Sequence, residues 1–220
     1  MTADLRHIDT WLFDLDNTLY PIDSGLGALT EPIITQFMVE TTGLPWDEAR
    51  TLQKRYLIDH GLTLRGLMDH HGVDPDVYHA RFHGVPLDGV VVDGQLRAGL
   101  ARLPGRRLIF TNADGIHAER VLEHLGVADL FEDVFHIASA AFVPKPSPVA
   151  FERILAAHDI TPATTAFFED AERNLAPAAA IGMTTVLVGP HAAASTAPFV
   201  NFRTEHLAPF LNYAQVKETP

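Results

Sequence analysis

The pattern of apolar and polar positions separates a helical stretch near the N-terminus from an alternating stretch that follows it. An unbroken apolar run at residues 11–13 has the character of a buried parallel strand. Between residues 22 and 84 no segment has strand character, and apolar stripes of helical period alternate with Gly and Pro turns. These stripes predict antiparallel helices over residues 31–42, 45–60, 62–71 and 75–82.

From residue 106 onward, short apolar strands alternate with helical patterns. The predicted strands cover residues 106–112, 134–137, 166–169, 184–188 and 199–202. The predicted helices cover residues 116–125, 148–158, 175–181 and 204–211. Repeated strand–helix units with apolar strands indicate an α/β fold built on a doubly wound parallel sheet.

The first strand is separated from the rest of its sheet by a helical insertion. Its length of about seventy residues far exceeds that of an ordinary strand–helix loop. We therefore predict a core domain of residues 1–19 and 88–220 and an all-helical cap domain of residues 20–87. Open α/β sheets bind ligands at the carboxyl ends of their strands, so the insertion leaves the core beside the expected site and is positioned to act as a lid.

Composition restricts the partners and the chemistry. An apolar fraction of 47% is sufficient for a substantial core, and the formal net charge of −12 argues against binding to a nucleic-acid polymer. Cysteine is absent, which excludes disulfides and thiolate chemistry, and the twelve histidines show no metal-binding spacing. The chain shows neither a signal sequence nor an apolar run long enough to span a bilayer. We therefore expect a cytoplasmic monomer or homodimer that does not enter membranes.

Two carboxylates follow the first predicted strand directly. Asp14 and Asp16 are separated by one leucine, and side chains two residues apart in an extended chain point in the same direction. Like charges this close raise one pKa and require a cation. A lone pair of this kind is usually a solvated turn, so its interpretation depends on the other strand ends.

Three further segments carry residues of the same kind. Thr111 and Asn112 lie at a strand-to-helix junction, where a hydroxyl and backbone N–H groups can hold phosphate oxygens, although such a pair more often caps a helix. Lys145 lies between two prolines, which stiffen the loop so that its ammonium can be aimed at a fixed anion. Glu169 and Asp170 end another apolar strand.

Four carboxylates at one sheet edge require compensation. Lys145 and one Mg²⁺ ion would supply three positive charges, which balance three carboxylates if Asp16 is protonated. Hard oxygen ligands and a phosphate partner suit Mg²⁺. The sequence therefore predicts a magnesium site that binds phosphate.

These motifs, in this order, resemble those of the haloacid dehalogenase (HAD) superfamily of phosphohydrolases, whose first motif is similar to D-L-D-N-T-L-Y at residues 14–20. The resemblance covers nearly the whole chain and implies a Rossmann-like core with an inserted cap. It implies an enzyme that hydrolyses phosphate monoesters, with Asp14 as the nucleophile that forms an aspartyl-phosphate. Asp16 would protonate the leaving oxygen and then activate water. The residues that would bind the phosphoryl group are Thr111, Asn112 and Lys145.

By the same resemblance, Mg²⁺ would be bound by Asp14, the backbone carbonyl of Asp16, and Asp170. Glu169 would bind it directly or through water. Most members carry Asp where this chain has Glu169, a departure that some sugar-phosphate mutases share. The presence of Asp16 argues against a true dehalogenase, which attacks carbon and needs no acid for an alkoxide leaving group.

Further stretches resemble the pyrimidine 5′-nucleotidases, which hydrolyse monophosphates such as UMP and CMP. They are G-L-T-L-R-G-L-M at residues 61–68, T-N-A at residues 111–113 with H-A-E-R-V-L at residues 117–122, and F-F-E-D-A-E-R-N at residues 167–174. This resemblance implies a nucleoside monophosphate as the small-molecule partner. The alternatives are a sugar-phosphate phosphatase, a β-phosphoglucomutase-like mutase and, in another class, a non-catalytic phosphate-binding regulatory protein.

Arg65 is the candidate for a cap residue that contacts the substrate, because it lies in a stretch expected near the active face. Its alternative role is an ion pair with Asp69, one helical turn further on. His117 and His124 are expected on the surface of a helix.

Overall fold

The strands confirm the predicted α/β sheet. Within residues 3–217, which the computed structural model describes, they are β1 (Thr10–Phe13), β2 (Arg106–Phe110), β3 (Asp133–Phe135), β4 (Thr165–Glu169), β5 (Thr184–Val188) and β6 (Phe202–Thr204). In this part of the chain they form one six-stranded parallel sheet in the order β3-β2-β1-β4-β5-β6. This is the Rossmann order. The chain adds strands outward from β1 in one direction and then, from β4 onward, in the other, and ligands bind at this switch point between β1 and β4.

Helices cover both faces of this sheet. In the described range they are α1 (Leu26–Thr42), α2 (Trp46–His60), α3 (Thr63–His71), α4 (Pro75–His79), α5 (Gly94–Ala101), α6 (Gly115–Leu125), α7 (Pro148–His158), α8 (Glu172–Ala180) and α9 (Leu207–Tyr213). Helices α5, α6 and α9 share one apolar cluster with the sheet, and α7 and α8 share a second one on the other face. None of the helices within residues 3–217 has the length and apolar character needed to cross a bilayer.

Register places the ends of the central strands together. Phe13, the last residue of β1, lies beside Ile109 of β2 and Phe168 of β4. Because the strands are parallel, the residues that follow β1, β2 and β4 gather at the same edge of the sheet. The polar residues singled out in the sequence therefore converge there.

Helices α1 to α4 lie between β1 and β2 and have an apolar cluster of their own. Its buried members are Phe37, Met38, Ala49, Tyr56, Leu64, Leu67 and Tyr78. The ends of this helical stretch pack elsewhere. Tyr20, Leu26, Val85 and Leu87 belong to the cluster beneath the sheet and not to the cluster of the helices. A separate cluster agrees with a separate cap, whereas its boundaries at residues 20 and 87 remain a prediction.

Helix α1 begins at Leu26, five residues before the start predicted from sequence. Gly25, with a φ of 81°, turns the chain into the helix, and Leu26 is buried in the cluster beneath the sheet. As a result Pro32 lies inside the helix, where its missing N–H removes one backbone hydrogen bond. Burial of Leu26 thus outweighs the local preference for a start next to proline.

Differences also occur near the C-terminus and before β2. Strand β6 begins at Phe202 because residues 199–201 are held to β5 by side chains: Thr185 Oγ1 donates to the carbonyl of Phe199 at 2.6 Å, and Asn201 Oδ1 accepts from the Thr185 N–H at 2.8 Å. Helix α5 is absent from the sequence prediction, since two glycines weaken its helical pattern. Helix α4 ends at residue 79 rather than 82, and α9 begins at residue 207 rather than 204.

Candidate active site

Asp14 lies among charges at the carboxyl end of β1. Its N–H donates to the carbonyl of Phe168 at 2.9 Å, which extends the pairing of β1 with β4. Oδ1 accepts from Nζ of Lys145 at 2.7 Å, and Oδ2 accepts from the hydroxyl of Thr18 at 3.2 Å. Asp14 is only 7% exposed. Burial and the nearby charge of Glu169 raise the pKa of Asp14 to about 7, against the opposing effect of Lys145.

Lys145 is 1% exposed and fully engaged. Its ammonium donates to Asp14 Oδ1 at 2.7 Å, to Glu169 Oε2 at 2.8 Å and to the carbonyl of Phe110 at 2.7 Å, which uses all three N–H groups. Burial alone would lower the pKa of Lys145, but the two carboxylates outweigh it and raise this pKa. In this structure Lys145 fixes and neutralises Asp14, and its contact with a phosphate remains a prediction.

Thr111 and Asn112 lie beside the Lys145 loop and have different tasks. The Asn112 side chain pairs with the backbone of Lys145: Nδ2 donates to its carbonyl at 3.1 Å, and Oδ1 accepts from its N–H at 2.9 Å. The buried Thr111 hydroxyl accepts from the N–H of Ala113 at 3.0 Å, which leaves its own hydrogen available. Asn112 thus holds the loop with one amide N–H, and within residues 3–217 its second N–H has no partner, so Thr111 and Asn112 both have a side-chain donor for a phosphate.

Glu169 and Asp170 form an acidic group with Asp14. Both oxygens of the buried Glu169 are engaged, Oε2 by Lys145 and Oε1 by the N–H of Ala171 at 3.1 Å. Asp170 is half-buried, and burial together with the charge of Asp14 raises its pKa to about 6. One oxygen from each of the three carboxylates lies within 4.8 Å of the others. Opposite ligands of octahedral Mg²⁺ are about 4.2 Å apart, so a small inward movement of these oxygens would let them hold a hard divalent cation.

Asp16 has an environment that differs from the sequence expectation. Its Oδ1 accepts hydrogen bonds from the hydroxyl of Tyr20 and from Nε2 of His117, the latter at 2.8 Å. Burial would raise the pKa of Asp16, but the charge and hydrogen bond of His117 and the bond from Tyr20 outweigh it and lower this pKa. The charge balance made from the sequence took Asp16 as protonated, whereas its surroundings in the structure favour the carboxylate form.

The prediction that His117 lies on a helix surface is wrong. Its side chain is 13% exposed and faces Asp16. Burial opposes its charged form, yet Asp16 raises the pKa of His117 above the ordinary value. The contact joins residues 101 positions apart, so no local pattern reveals it. The available signal is its place in the first turn of α6, a helix that begins at the same sheet edge as the other site residues.

Arg65 forms the ion pair that the sequence offered as its alternative role. Its Nε donates to Oδ2 of Asp69 at 3.0 Å, and its Nη2 is in contact with the other oxygen of the same carboxylate. It does not line the cleft beside Asp16. A contact between Arg65 and a substrate remains a prediction.

A cleft of about 260 Å³ opens beside Asp16, between the cap helices and the start of α6. Its apolar and aromatic lining consists of Leu26, Ile34, Leu62, Tyr78 and Phe82. Its polar lining includes Asp16, Tyr20, His79, Asn112, Asp114 and His117, and within residues 3–217 no Lys or Arg contributes. Burial lowers the pKa of His79, which therefore adds no positive charge at neutral pH.

The cap touches the Lys145 loop at Gly61, in the turn between α2 and α3. A Cβ on Gly61 would lie 3.1 Å from the carbonyl oxygen of Lys145 and 3.2 Å from Cγ of Pro144. Its φ of +78° lies in the left-handed region, so both the space and the backbone favour glycine. The turn between α2 and α3 therefore lies directly on the loop that carries the buried lysine.

The fold and the site define a class of hydrolase. A Rossmann-ordered sheet carries a D-x-D motif at its switch point, a buried lysine and an acidic pair on the neighbouring strand. The family model of haloacid dehalogenase-like hydrolases matches residues 8–182, and the chain belongs to this family.

A relative and several solved structures extend this comparison. The chain is 30% identical over 193 residues to phosphate metabolism protein 8 of Saccharomyces cerevisiae, a match that includes 80% of this chain and 60% of that protein's length. A HAD phosphatase from Thermococcus onnurineus superposes with a TM-score of 0.63 at 18% identity, over 95% of this chain and all 100% of the other. The magnesium-bound HAD-hydrolase YfnB from Bacillus subtilis has a TM-score of 0.62 at 14% identity, over 93% and 97%. At these identities the solved structures show a shared fold.

Proposed function

We propose that this chain is a Mg²⁺-dependent phosphomonoesterase, and that its substrates are pyrimidine nucleoside monophosphates such as UMP and CMP. The observation that carries the proposal is the placement of the two aspartates that follow β1. Asp14 lies against Lys145 and the acidic group, whereas Asp16 lines the cleft. A nucleophile must face the phosphorus while an acid faces the leaving group, and one strand end supplies both.

The proposed reaction has two steps. In the first, an oxygen of Asp14 attacks phosphorus, the bond from phosphorus to the ester oxygen breaks, and Asp16 gives a proton to that oxygen. In the second, a water molecule attacks the phosphorus while Asp16 takes its proton, and the bond from phosphorus to Asp14 breaks. Asp16 must gain a proton before the first step, and the negative charge of an arriving phosphate favours this because it opposes the lowered pKa.

The acidic group supports a metal requirement. Asp14, Asp170 and the backbone carbonyl of Asp16 would hold Mg²⁺, with Glu169 bound directly or through water. The ion would neutralise charge on the phosphoryl group. Burial and the charge of Glu169 raise the pKa of Asp14 to about 7, and a bound cation would favour the carboxylate form that attacks phosphorus. Lys145 would orient the nucleophile Asp14, and the Thr111 hydroxyl would donate to a phosphoryl oxygen.

The cleft favours a neutral leaving group. A second phosphate would require cationic partners, and the described lining offers only His117, which already pairs with Asp16, beside the carboxylates of Asp16 and Asp114. This argues against the bisphosphate handled by a β-phosphoglucomutase-like mutase. The half-buried ring of Phe82 lines this cleft beside the buried Tyr78, and a planar base could pack against it. The resemblance to pyrimidine 5′-nucleotidases supports a nucleotide as the substrate, and the name of the yeast relative, which refers to phosphate metabolism, supports phosphate chemistry in general.

Residues 20–87 would act as the cap that closes over this leaving group. Their helices supply the apolar wall of the cleft, and Gly61 rests on the Lys145 loop. Closure would exclude bulk water from the aspartyl-phosphate until the alcohol departs. This role agrees with the separate apolar cluster of helices α1 to α4.

The test is phosphate release from nucleoside monophosphates and sugar phosphates, with Mg²⁺ and with a chelator, beside Asp14→Asn. Preference for UMP and CMP that is lost with the chelator and in the variant supports the nucleotidase. Mg²⁺-dependent release from sugar phosphates keeps the mechanism and changes the substrate. Interconversion of sugar phosphates without net release would identify a mutase. Phosphate binding without any turnover would identify a non-catalytic binder.

A further inference from the structure

Asp16 is held by two donors that converge on one of its oxygens. The hydroxyl of Tyr20 and Nε2 of His117 both bond to Oδ1, whereas within residues 3–217 no side chain bonds to Oδ2. Tyr20 is 4% exposed, so its hydroxyl is directed inward rather than toward water. The side chain of Asp16 is 36% exposed and lines the cleft. The two oxygens of this carboxylate are therefore not equivalent.

We propose that Tyr20 and His117 are positioning residues that dedicate Oδ2 of Asp16 to proton exchange with the leaving group and with water, a role that rests on the phosphatase function proposed above. Two donors on Oδ1 require it to act as an acceptor, so the proton of a protonated Asp16 resides on Oδ2. The same contacts restrict rotation of the carboxylate. Oδ2 then meets the leaving oxygen in a fixed orientation.

The two donors come from elements that also frame the rest of the site. Tyr20 lies in the segment that leads from β1 into the cap and belongs to the apolar cluster beneath the sheet. His117 lies in the first turn of α6, where its N–H donates to the capping residue Asp114 at 3.0 Å. This turn directly follows the segment of Thr111. Asp16 is therefore held from two sides, by Tyr20 in the segment that leads into the predicted cap and by His117 beside the expected phosphate-binding turn.

A comparison of two esters separates positioning from general structural support. UMP has an aliphatic leaving group that needs a proton, whereas p-nitrophenyl phosphate releases a phenolate that does not. The value of kcat/KM reports the first step, in which the ester bond breaks. In Tyr20→Phe and His117→Ala we expect kcat/KM for UMP to fall about 10- to 100-fold. For p-nitrophenyl phosphate we expect a fall of less than about threefold, because its leaving group needs no acid.

Matched variants complete the design. His117→Gln keeps an N–H donor near the same position and should recover part of the loss that His117→Ala shows with UMP. His124→Gln serves as the control, because His124 is on the same helix but bonds to the carbonyl of Val90 at 2.7 Å. In His124→Gln, kcat/KM should change little, and by the same factor, for the two esters. Thermal unfolding of each variant verifies that it is folded.

Equal losses for the two esters in the folded Tyr20→Phe and His117→Ala variants would overturn the positioning role, as would unchanged kcat/KM for UMP. The wild-type protein tests the underlying function separately. If it turns over neither ester with Mg²⁺ present, the phosphatase proposal itself fails. If it turns over both, and the variants leave the ratio of kcat/KM for UMP to kcat/KM for p-nitrophenyl phosphate unchanged, the phosphatase function stands and the positioning role of Tyr20 and His117 is wrong.

Discussion

Asp14 and Asp16 are two residues apart, yet the fold places them in opposite environments. Asp14 is buried against Lys145, and burial raises its pKa to about 7 in the metal-free protein. Asp16 opens onto the cleft, and two donors lower its pKa despite burial. A bound cation would reverse the shift of Asp14, whereas the donors of Asp16 are parts of the protein itself. Separated pKa values in a pair of carboxylates indicate separate roles, and in the proposed reaction Asp14 is the carboxylate that would depend on a metal.

The largest expected effect on turnover comes from replacing Asp14. Asp14→Asn removes the proposed nucleophile and keeps its shape, so we expect turnover of UMP to fall by about 10⁴-fold or more. Phosphate release at saturating substrate measures the loss, and circular dichroism should show an intact fold. Wild-type turnover in this variant would contradict the aspartyl-phosphate mechanism.

The next effect concerns Asp16. Asp16→Asn should lower turnover of UMP by about 10²- to 10⁴-fold, because both proton transfers are lost. With p-nitrophenyl phosphate, the first step needs no acid but the second still needs a base. We therefore expect a burst of p-nitrophenol close to one equivalent of enzyme, followed by a slow phase. A full steady rate without a burst would show that Asp16 has another role.

Loss of Lys145 should affect stability as well as activity. Lys145→Met leaves Asp14 and Glu169 buried and unpaired, and breaking a buried ion pair in this way costs about 3–5 kcal/mol. Urea unfolding measures the loss. The control is Arg50→Gln, since Arg50 pairs with Glu31 at 2.9 Å on the surface and exposed pairs contribute little. Equal stability of the two variants would contradict the role assigned to the buried contact.

The opposite pKa shifts should appear as opposite pH dependences when a chelator is present. The raised pKa of Asp14 means that the folded state keeps a proton that the unfolded chain releases, so its contribution to stability is present below the ordinary carboxyl pKa and is lost as the pH rises toward about 7. The stability difference between wild type and Asp14→Asn should therefore decline across this window. For Asp16 the pKa is lowered, so the difference from Asp16→Asn should decline as the pH falls.

Urea midpoints from about pH 2 to pH 8, taken with a chelator and with Mg²⁺, give both differences, because the loss for Asp16 lies below the ordinary carboxyl pKa of about 4 and the loss for Asp14 lies above it. Mg²⁺ should remove most of the Asp14 effect, because a cation favours the carboxylate in the folded state. A wild-type advantage over Asp14→Asn that grows with pH in the presence of the chelator would contradict the assignment.

The smallest expected effect lies away from both aspartates. Arg65→Gln breaks the pair with Asp69, and exposed pairs one helical turn apart are worth about 0.3–0.5 kcal/mol. Because Arg65 does not line the cleft, kcat/KM for UMP should change by less than about threefold. Asp69→Asn is the matched control. A large loss of kcat/KM in Arg65→Gln alone would instead support its contact with the substrate.

The sheet could be predicted because its information is local. Apolar runs such as residues 165–169 and 184–188 are buried strands, and turns rich in Gly and Pro separate them from the helices. The same local information fails where tertiary burial decides, as at Leu26, which extends α1 by more than a turn. It also fails for α5, where Gly94 and Gly99 hide a helix that Leu96 and Leu100 anchor beneath the sheet.

Within the candidate site, sequence motifs predicted which residues converge and left their partners unknown. Asp14, Lys145 and Asp170 stand out because charged residues at strand ends need an explanation. Tyr20 and His117 do not, since a tyrosine after a turn and a histidine in a helix are ordinary residues until the fold brings them to one carboxylate oxygen. The contact between the Asn112 side chain and the Lys145 backbone likewise joins residues 33 positions apart, so no local pattern predicts it.

The position of Tyr20 has a consequence for anyone who exchanges caps between members of this family to change substrate choice. Tyr20 stands at the first residue of the predicted cap, but its ring is packed beneath the sheet and its hydroxyl is bonded to Asp16. A chimera joined before residue 20 would import a foreign residue into contact with the acid, whereas one joined within α1, after Leu26, would leave it untouched. The seam of such a hybrid therefore belongs inside the first helix.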